Sequence, residues 1–250
     1  MSSARDTEVF ASSQGNWFTT THWSVVLSAR EHDSPQAAAA LEKLCRTYWY
    51  PLYAYVRRQG HDEPSAKDLT QEFFVRLLHK NRLDQVQREK GRFRSFLLAS
   101  LKHFLADERD KAQAQKRGGG QTLLSLDDDT AEDRYRLEPA DNLTPDKLFE
   151  QRWALTLLDQ AKTRLEGEYA QAGKAAFYER LRVFEAADPD APTYAQVAAE
   201  FGLTESAVKS AAHRRRQRYG ELVREEVAHT VDSPAEVDEE LRYLIGVLSG

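Results

Sequence analysis

Cysteine is nearly missing from this chain: Cys45 stands alone among 250 residues. One thiol excludes an intrachain disulfide framework and a thiolate zinc cluster, and it predicts a reducing compartment. Long apolar runs are missing too. The longest are a handful of residues, far short of the roughly 20 needed to cross a bilayer. The opening segment MSSARDTEVFASSQGN is polar and has no signal-peptide core. We therefore expect a cytoplasmic protein with no membrane insertion. Phosphate-cradling loops are absent, both Gly-x-x-x-x-Gly-Lys and Gly-x-Gly-x-x-Gly. Gly118, Gly119 and Gly120 precede a polar stretch rather than a helix after a strand. The seven histidines contain no His-x-x-x-His pair. Asp127, Asp128 and Asp129 are consecutive acids of the kind that are usually solvated. Cys45 falls on an apolar stripe and reads as inert. These absences predict no enzyme, no metal site and no cofactor.

Strand signals are scarce as well. Alternating Val/Ile/Thr runs are few, and Asn-Gly and Asp-Gly turns do not occur. Helical periodicity is strong, so the expected fold class is all-α: two helical domains joined by a flexible acidic linker, the C-terminal one with a helix-turn-helix. The expected division is an N-terminal extension with a short helix at 1–34, a first helical domain at 35–117, an acidic linker at 118–144, a second helical domain at 145–230 and a C-terminal amphipathic helix at 231–250. Within the extension, residues 1–16 read as a disordered tail and His22 to Arg30 as the short helix.

In the first domain one helix spans about Pro35 to Gln59, with Leu41, Leu44, Cys45, Tyr48, Leu52, Tyr55 and Val56 in its stripe. Pro51 inside it predicts a kink or a restart. A second starts near Pro64 after Asp62 and buries Leu69, Phe73, Phe74 and Leu77. A third runs from about Phe93 to Lys116 over Phe93, Leu97, Leu101, Phe104 and Leu105. The linker carries three glycines and a block of acids. The final helix, Pro234 to Leu248, aligns Val237, Leu241, Leu244, Ile245 and Leu248 on one face. Its simplest role is to pack on the second domain. Clamping the two domains together or binding a partner are the alternatives.

Thr193 to Tyr219, TYAQVAAEFGLTESAVKSAAHRRRQRY, is the most specific segment. It reads as helix, tight turn, helix. Tyr194, Val197, Ala198 and Phe201 make the first apolar face, Gly202 supplies the turn, Leu203 is expected to plug the core, and Thr204 caps the second helix. Ala207, Val208, Ala211 and Ala212 are small packing positions. Glu205, Ser206, Lys209, Ser210, His213, Arg214, Arg215 and Arg218 are the expected DNA-facing residues. A merely solvated basic helix is the bland alternative, and the absence of acids between Val208 and Tyr219 argues against it.

These residues resemble the C-terminal DNA-binding domain of bacterial RNA polymerase sigma factors of the extracytoplasmic-function (ECF) type, closely so over SAVKSAAHRRRQRY. The first domain agrees independently. DLTQEFFVRLL (Asp68 to Leu78) resembles the segment that docks on the clamp helices of the polymerase largest subunit. FRSFLLASLKHFLADERD (Phe93 to Asp110) resembles the promoter-opening segment. The resemblance covers about Ala37 to Lys116 and Asp146 to Val227. It implies a sigma factor that binds core RNA polymerase through its clamp helices and flap, recognises promoter DNA and promotes strand opening for transcription initiation. An anti-sigma factor is a further partner that the sequence leaves open.

On this resemblance Asp68, Gln71, Glu72 and Val75 become the polymerase-core-binding face. Spacing alone favours an ordinary solvated face, and the resemblance reverses that preference. Arg92, Arg94, Phe96, Lys102, His103 and Arg109 become the promoter-opening and downstream-element set. Opening a duplex needs cations for the backbone and flat groups that replace base stacking. Phe93 and Phe104 read as core, while Phe96 stays open between core and stacking. His103 stands where the family usually carries asparagine, and Asp107 matches a usual family acid. A stand-alone helix-turn-helix transcription regulator that does not join the polymerase is the alternative reading, and a pure protein-interaction module is a third.

The net charge of −5, from 40 acids and 35 bases, seems to disfavour a nucleic-acid partner. It averages opposite blocks. Arg88 to Arg117 carries nine bases against four acids, and Lys209 to Arg218 five bases and no acid. Gln121 to Glu150 has nine acids against three bases, and Asp232 to Arg242 five acids against one base. The acidic linker and tail are therefore expected to shield the basic helices from non-specific DNA.

Overall fold

The computed structural model describes residues 35–79, 92–114, 131–137, 143–184, 191–231 and 233–249. Every regular element among them is helical, with no strand. The expected short helix at 22–30 and tail at 1–16 lie outside the described residues, as do 118–130 and 138–142 of the expected linker.

The chain divides into two units. One takes residues up to Trp153 and again from Ala228, and the other is Ala154–Val227. The first unit begins with α1 (Pro35–Arg58), which runs through Pro51 without ending, and α2 (Glu63–His79). Gly60 sits between them at φ +96°, a left-handed value open to glycine. Asp62 caps α2 by accepting from the Ser65 amide at 2.9 Å. α3 (Phe93–Ala114) follows. The three-four spacing has a direct physical result: Tyr48, Leu52, Val56, Phe93, Leu97 and Leu101 are fully buried. Tyr48 meets the edge of Phe93 with 5.5 Å between ring centroids, Trp49 stacks on Phe74 at 5.9 Å, and Phe73 tilts against Phe104 at 5.8 Å. Cys45 is half-buried, and burial pushes its thiol up to about 11, so it stays protonated and inert at neutral pH.

The expected linker is not structureless throughout. Residues Ala131–Arg136 form a short helix, α4, with Ala131 and Glu132 buried. One carboxylate holds it to α1. Glu132 accepts from Arg57 through both oxygens, at 2.8 and 2.9 Å, and from the Tyr53 hydroxyl at 2.5 Å. Tyr135 adds an edge contact to Tyr53 and lies under the Arg57 guanidinium. Burial works against the Glu132 charge, but the Arg57 and Tyr53 hydrogen bonds outweigh it and hold the carboxyl below its ordinary range.

α5 (Pro145–Gln171) starts in the first unit and continues into the second. The division therefore falls between Trp153 and Ala154, inside this helix, rather than at its start. The second unit continues with α6 (Ala175–Arg182), α7 (Tyr194–Phe201) and α8 (Glu205–Ala228). Its core joins Leu181, Val197, Ala198, Val208, Ala211 and Ala212, with Phe177, Phe184 and Phe201 packed around them. Phe184 stacks on Tyr194 with centroids 4.0 Å apart. Arg164 of α5 reaches Glu225 and Glu226 of α8, both at 2.6 Å.

The chain then returns to the first unit. A 3-10 turn at Pro234–Glu236 leads into α9 (Val237–Ser249). The expectation that this helix packs on the second domain is not met. It belongs to the first unit, where Glu240 pairs with Arg94 and with Arg92. An amphipathic stripe says that a helix packs, not on what it packs.

Candidate nucleic-acid interface

The turn between α7 and α8 sets the best-defined surface. Thr193 caps α7 in a reciprocal box: its hydroxyl accepts from the Gln196 amide, and the Gln196 side chain accepts from the Thr193 amide at 2.7 Å. Gly202 ends the helix at φ +64°, where its amide reaches the carbonyls of Ala198 and Ala199. Leu203 donates back to Ala198 at 2.9 Å, and Thr204 receives the Ala207 amide at 3.2 Å. Three residues thus join the two helices with the cap groups satisfied.

A Cβ at Gly202 would meet nothing within 4 Å, so only the backbone conformation opposes a larger residue. We expect Gly202→Ala to lower stability by about 1 kcal/mol and Gly202→Asn by less. Thermal unfolding followed by circular dichroism reads both. Equal melting temperatures for all three chains would show that the turn tolerates the change.

Leu203 does not plug the core as expected. It is 44 % exposed, and the core at this end is closed by Phe177 and Phe201, in edge contact at 5.0 Å. On α8 the described surfaces separate cleanly. Glu205, Ser206, Lys209, Ser210, His213 and Arg214 are exposed and recur at the spacing of a single helix face. Lys209 pairs with Glu205 at 2.6 Å and lies 5.7 Å from the Tyr194 ring centroid.

Two residues expected on that face lie elsewhere. Arg215 is only 3 % exposed, and its guanidinium covers the Tyr178 ring at 4.8 Å. Arg218 donates to Glu168 at 2.7 Å and Glu221 at 2.9 Å, with Glu225 at 3.3 Å. Those partners, Glu168 first, raise the affinity of its guanidinium for its proton still further. The cause is periodicity. Val208, Ala211, Ala212 and Arg215 follow three-four spacing and fall on the buried face, Tyr219 half-buries one step on, and Leu222 is buried again. The same spacing was open to reading in the sequence, but the run of arginines hid it.

In the first unit, Asp68 is exposed on α2, while Gln71, Glu72 and Val75 are half-buried. Glu72 is held by Arg76 of its own helix. Arg76 also pairs with Glu108 at 2.7 Å and covers the Phe104 ring at 4.8 Å. On α3, His103 and Arg109 are exposed, Lys102 is exposed and paired with Asp146, and Asp107 is exposed. Phe96 is half-buried, tilted against Phe93 at 6.1 Å. A cleft of about 700 Å³ between α1, α2 and α3 brings Asp68, Lys102 and Arg109 to one rim, with Tyr55 and His61 beside them.

Arg92 and Arg94 do not share that exposure. Arg94 is 4 % exposed and pairs with Glu240, which is completely buried. Its guanidinium lies 4.6 Å from the Trp153 ring centroid and 4.3 Å from that of Tyr243. Burial, together with the neighbouring Arg92 cation, pulls it down to about 10, which leaves it charged at neutral pH. Arg92 pairs with Glu239 and Glu240, both at 2.8 Å, and its guanidinium lies 5.4 Å from the Tyr243 centroid. The partners were not legible from α3. They lie nearly 150 residues downstream, in the acidic first turn of α9.

Among the described residues no three His, Cys, Asp or Glu side chains are gathered to hold a metal ion, and no helix is long and apolar enough to cross a membrane. No curated protein and no solved structure matches the chain. The family model for ECF sigma factors, which are non-enzymatic transcription factors, matches residues 36–212. That match runs from the start of α1 into the first third of α8; it takes in the α2–α3 surface and Glu205, Ser206, Lys209 and Ser210 of the exposed α8 face, and stops before His213 and Arg214. The chain belongs to the ECF sigma factor family and has a sigma factor's role in transcription initiation.

Proposed function

We propose that the chain joins core RNA polymerase to a promoter through three surfaces. The observation that carries the reading is the α8 face: six polar or charged residues, all exposed, projected by a short turn whose backbone groups are satisfied. A helix held in that way fits a major groove, where Lys209 and Arg214 donate to guanine or phosphate and Ser210 and His213 read base edges or backbone. It takes the upstream element. On α3, Lys102, His103 and Arg109 supply the cations and flat groups suited to the downstream element and the separated strand, with Phe96 at their side. Asp68, Gln71, Glu72 and Val75 dock on the polymerase clamp helices, acids around an apolar residue meeting a basic rim. RNA synthesis itself is the work of the core enzyme.

Transcription in vitro with purified core and a promoter library tests this. Initiation that requires both the chain and core, on a defined subset of promoters, is the expected result. No core-dependent initiation on any sequence, with tight binding of DNA by the chain alone, would instead mark a stand-alone regulator. A chain with Asp68→Lys and Val75→Glu is expected to bind core at least tenfold more weakly in a pull-down titration while its melting temperature holds, since neither side chain is in the core. Unchanged core affinity would remove α2 from the docking surface.

A further inference from the structure

Two arginines at the start of α3, a promoter-opening element in the reading above, are already occupied by carboxylates of the chain itself. Arg94 meets Glu240, Arg92 meets Glu239 and Glu240, and the Tyr243 ring lies against both guanidiniums. Glu150 is the other acid near Arg94, and burial raises its carboxyl above the ordinary range, which weakens it as a competing counter-ion. Nucleic acid would offer these arginines the same chemistry that α9 offers, namely oxygens bearing negative charge.

The hold of α9 combines these ion pairs with a narrow apolar contact. Of its apolar stripe only Val237 and Leu244 are buried. Leu241 and Leu248 are half-buried, and Ile245 is 60 % exposed. Ion pairs yield to a polyanion far more readily than apolar packing does, because each phosphate that enters repays the pair it displaces. Glu239, with 65 % of its side chain exposed, lies where that exchange can begin.

We infer that α9 is an intramolecular strap that stands in for nucleic-acid phosphate on Arg92 and Arg94, and that it is displaced when the single strand binds α3. The free chain thereby carries two fewer available cations than its sequence contains. The strap rests on the sigma-factor reading, and one set of measurements separates the two.

Full-length chain with Glu239→Gln and Glu240→Gln is compared with wild type for binding of a 20-nucleotide oligothymidylate between 50 and 200 mM KCl. Once bound, both chains make the same phosphate contacts, each contributing about 0.7 to the slope of log affinity against log salt, so the slopes stay similar. The variant is expected to bind several-fold more tightly throughout this range, because wild type must first give up the α9 pairs. Binding by both chains with equal affinity overturns the strap alone. Binding by neither overturns the strap together with the assignment of α3 to DNA, whereas loss of core-dependent transcription by wild type overturns the sigma-factor reading. Because Glu240 is buried, the variant could lose helix content. Amide hydrogen exchange of the wild-type chain then decides. Saturating oligothymidylate is expected to lower protection across residues 237–249, and unchanged protection there overturns the strap.

Discussion

A chain carrying glutamate in place of both Lys209 and Arg214 is expected to lose upstream-element recognition by about a hundredfold or more without losing its fold. One bidentate contact from an arginine to a base carries about 1–3 kcal/mol, and the substituted acids add repulsion from the phosphates. Both positions are exposed, and Lys209 gives up an ion pair to Glu205 one helical turn away and an exposed contact with the Tyr194 ring. The control is one residue along. Arg215→Glu buries a carboxylate against Tyr178 in place of a guanidinium, so it is expected to lower the melting temperature first and recognition only as a consequence. Fluorescence anisotropy of promoter fragments with the polymerase-bound chain, beside thermal melts of the free chain, gives both readings. Equal loss of recognition at Arg214 and Arg215 with equal melts would mean that the two residues do not differ in exposure in solution.

Removal of the Glu132 carboxylate is expected to be strongly destabilising to the first unit. Glu132→Ala leaves Arg57 with the His61 carbonyl but no carboxylate, takes the acceptor from the Tyr53 hydroxyl and releases α4 from α1. Breaking a buried pair from one side costs about 3–5 kcal/mol, and partial exposure of Arg57 places the expected loss near the lower end, about 3 kcal/mol. Arg57→Met added to Glu132→Ala is expected to restore part of that loss, because no unmatched charge remains. The pH dependence has a fixed sign. Glu132 is held below its ordinary value, so its contribution is complete above the unfolded carboxylate value of about 4.3 and disappears as the pH falls through the folded value. Urea titrations of wild type and Glu132→Gln are expected to differ at pH 7 and to converge as the pH falls from about 4.3 through the lowered folded value. A constant difference down to pH 3 would remove the ion pair as the cause.

The elements with periodic burial were legible in the sequence. The spacing of Tyr48, Leu52 and Val56 or of Phe93, Leu97 and Leu101 dictates a helix and its inner face together, and Gly202 followed by Thr204 dictates where one helix stops and the next begins. Features that depend on a single distant partner were not legible. α4 is six residues in an acidic stretch, and its order comes from one carboxylate reaching Arg57 and Tyr53 more than 70 residues earlier. Arg92 and Arg94 read as free cations because nothing local marks Glu239 and Glu240 as their partners. Arg215 is the opposite case. Its burial follows from local spacing, and only the weight of four arginines within five residues drew it to the exposed set.

The first unit is discontinuous: its last helix is made after the whole second unit has been made. Arg94 and Glu240 lie 146 residues apart. At about 5–20 residues per second of synthesis, roughly 7–30 s separate the emergence of one from that of the other. Through that interval the nascent chain presents α3 with its arginine pair uncompensated, on a ribosome whose surface is itself polyanionic. The second unit, Ala154–Val227, is contiguous and needs no later residue to complete it. Translation therefore delivers the second unit whole and completes the first unit last, so the order of maturation runs opposite to the order of the sequence.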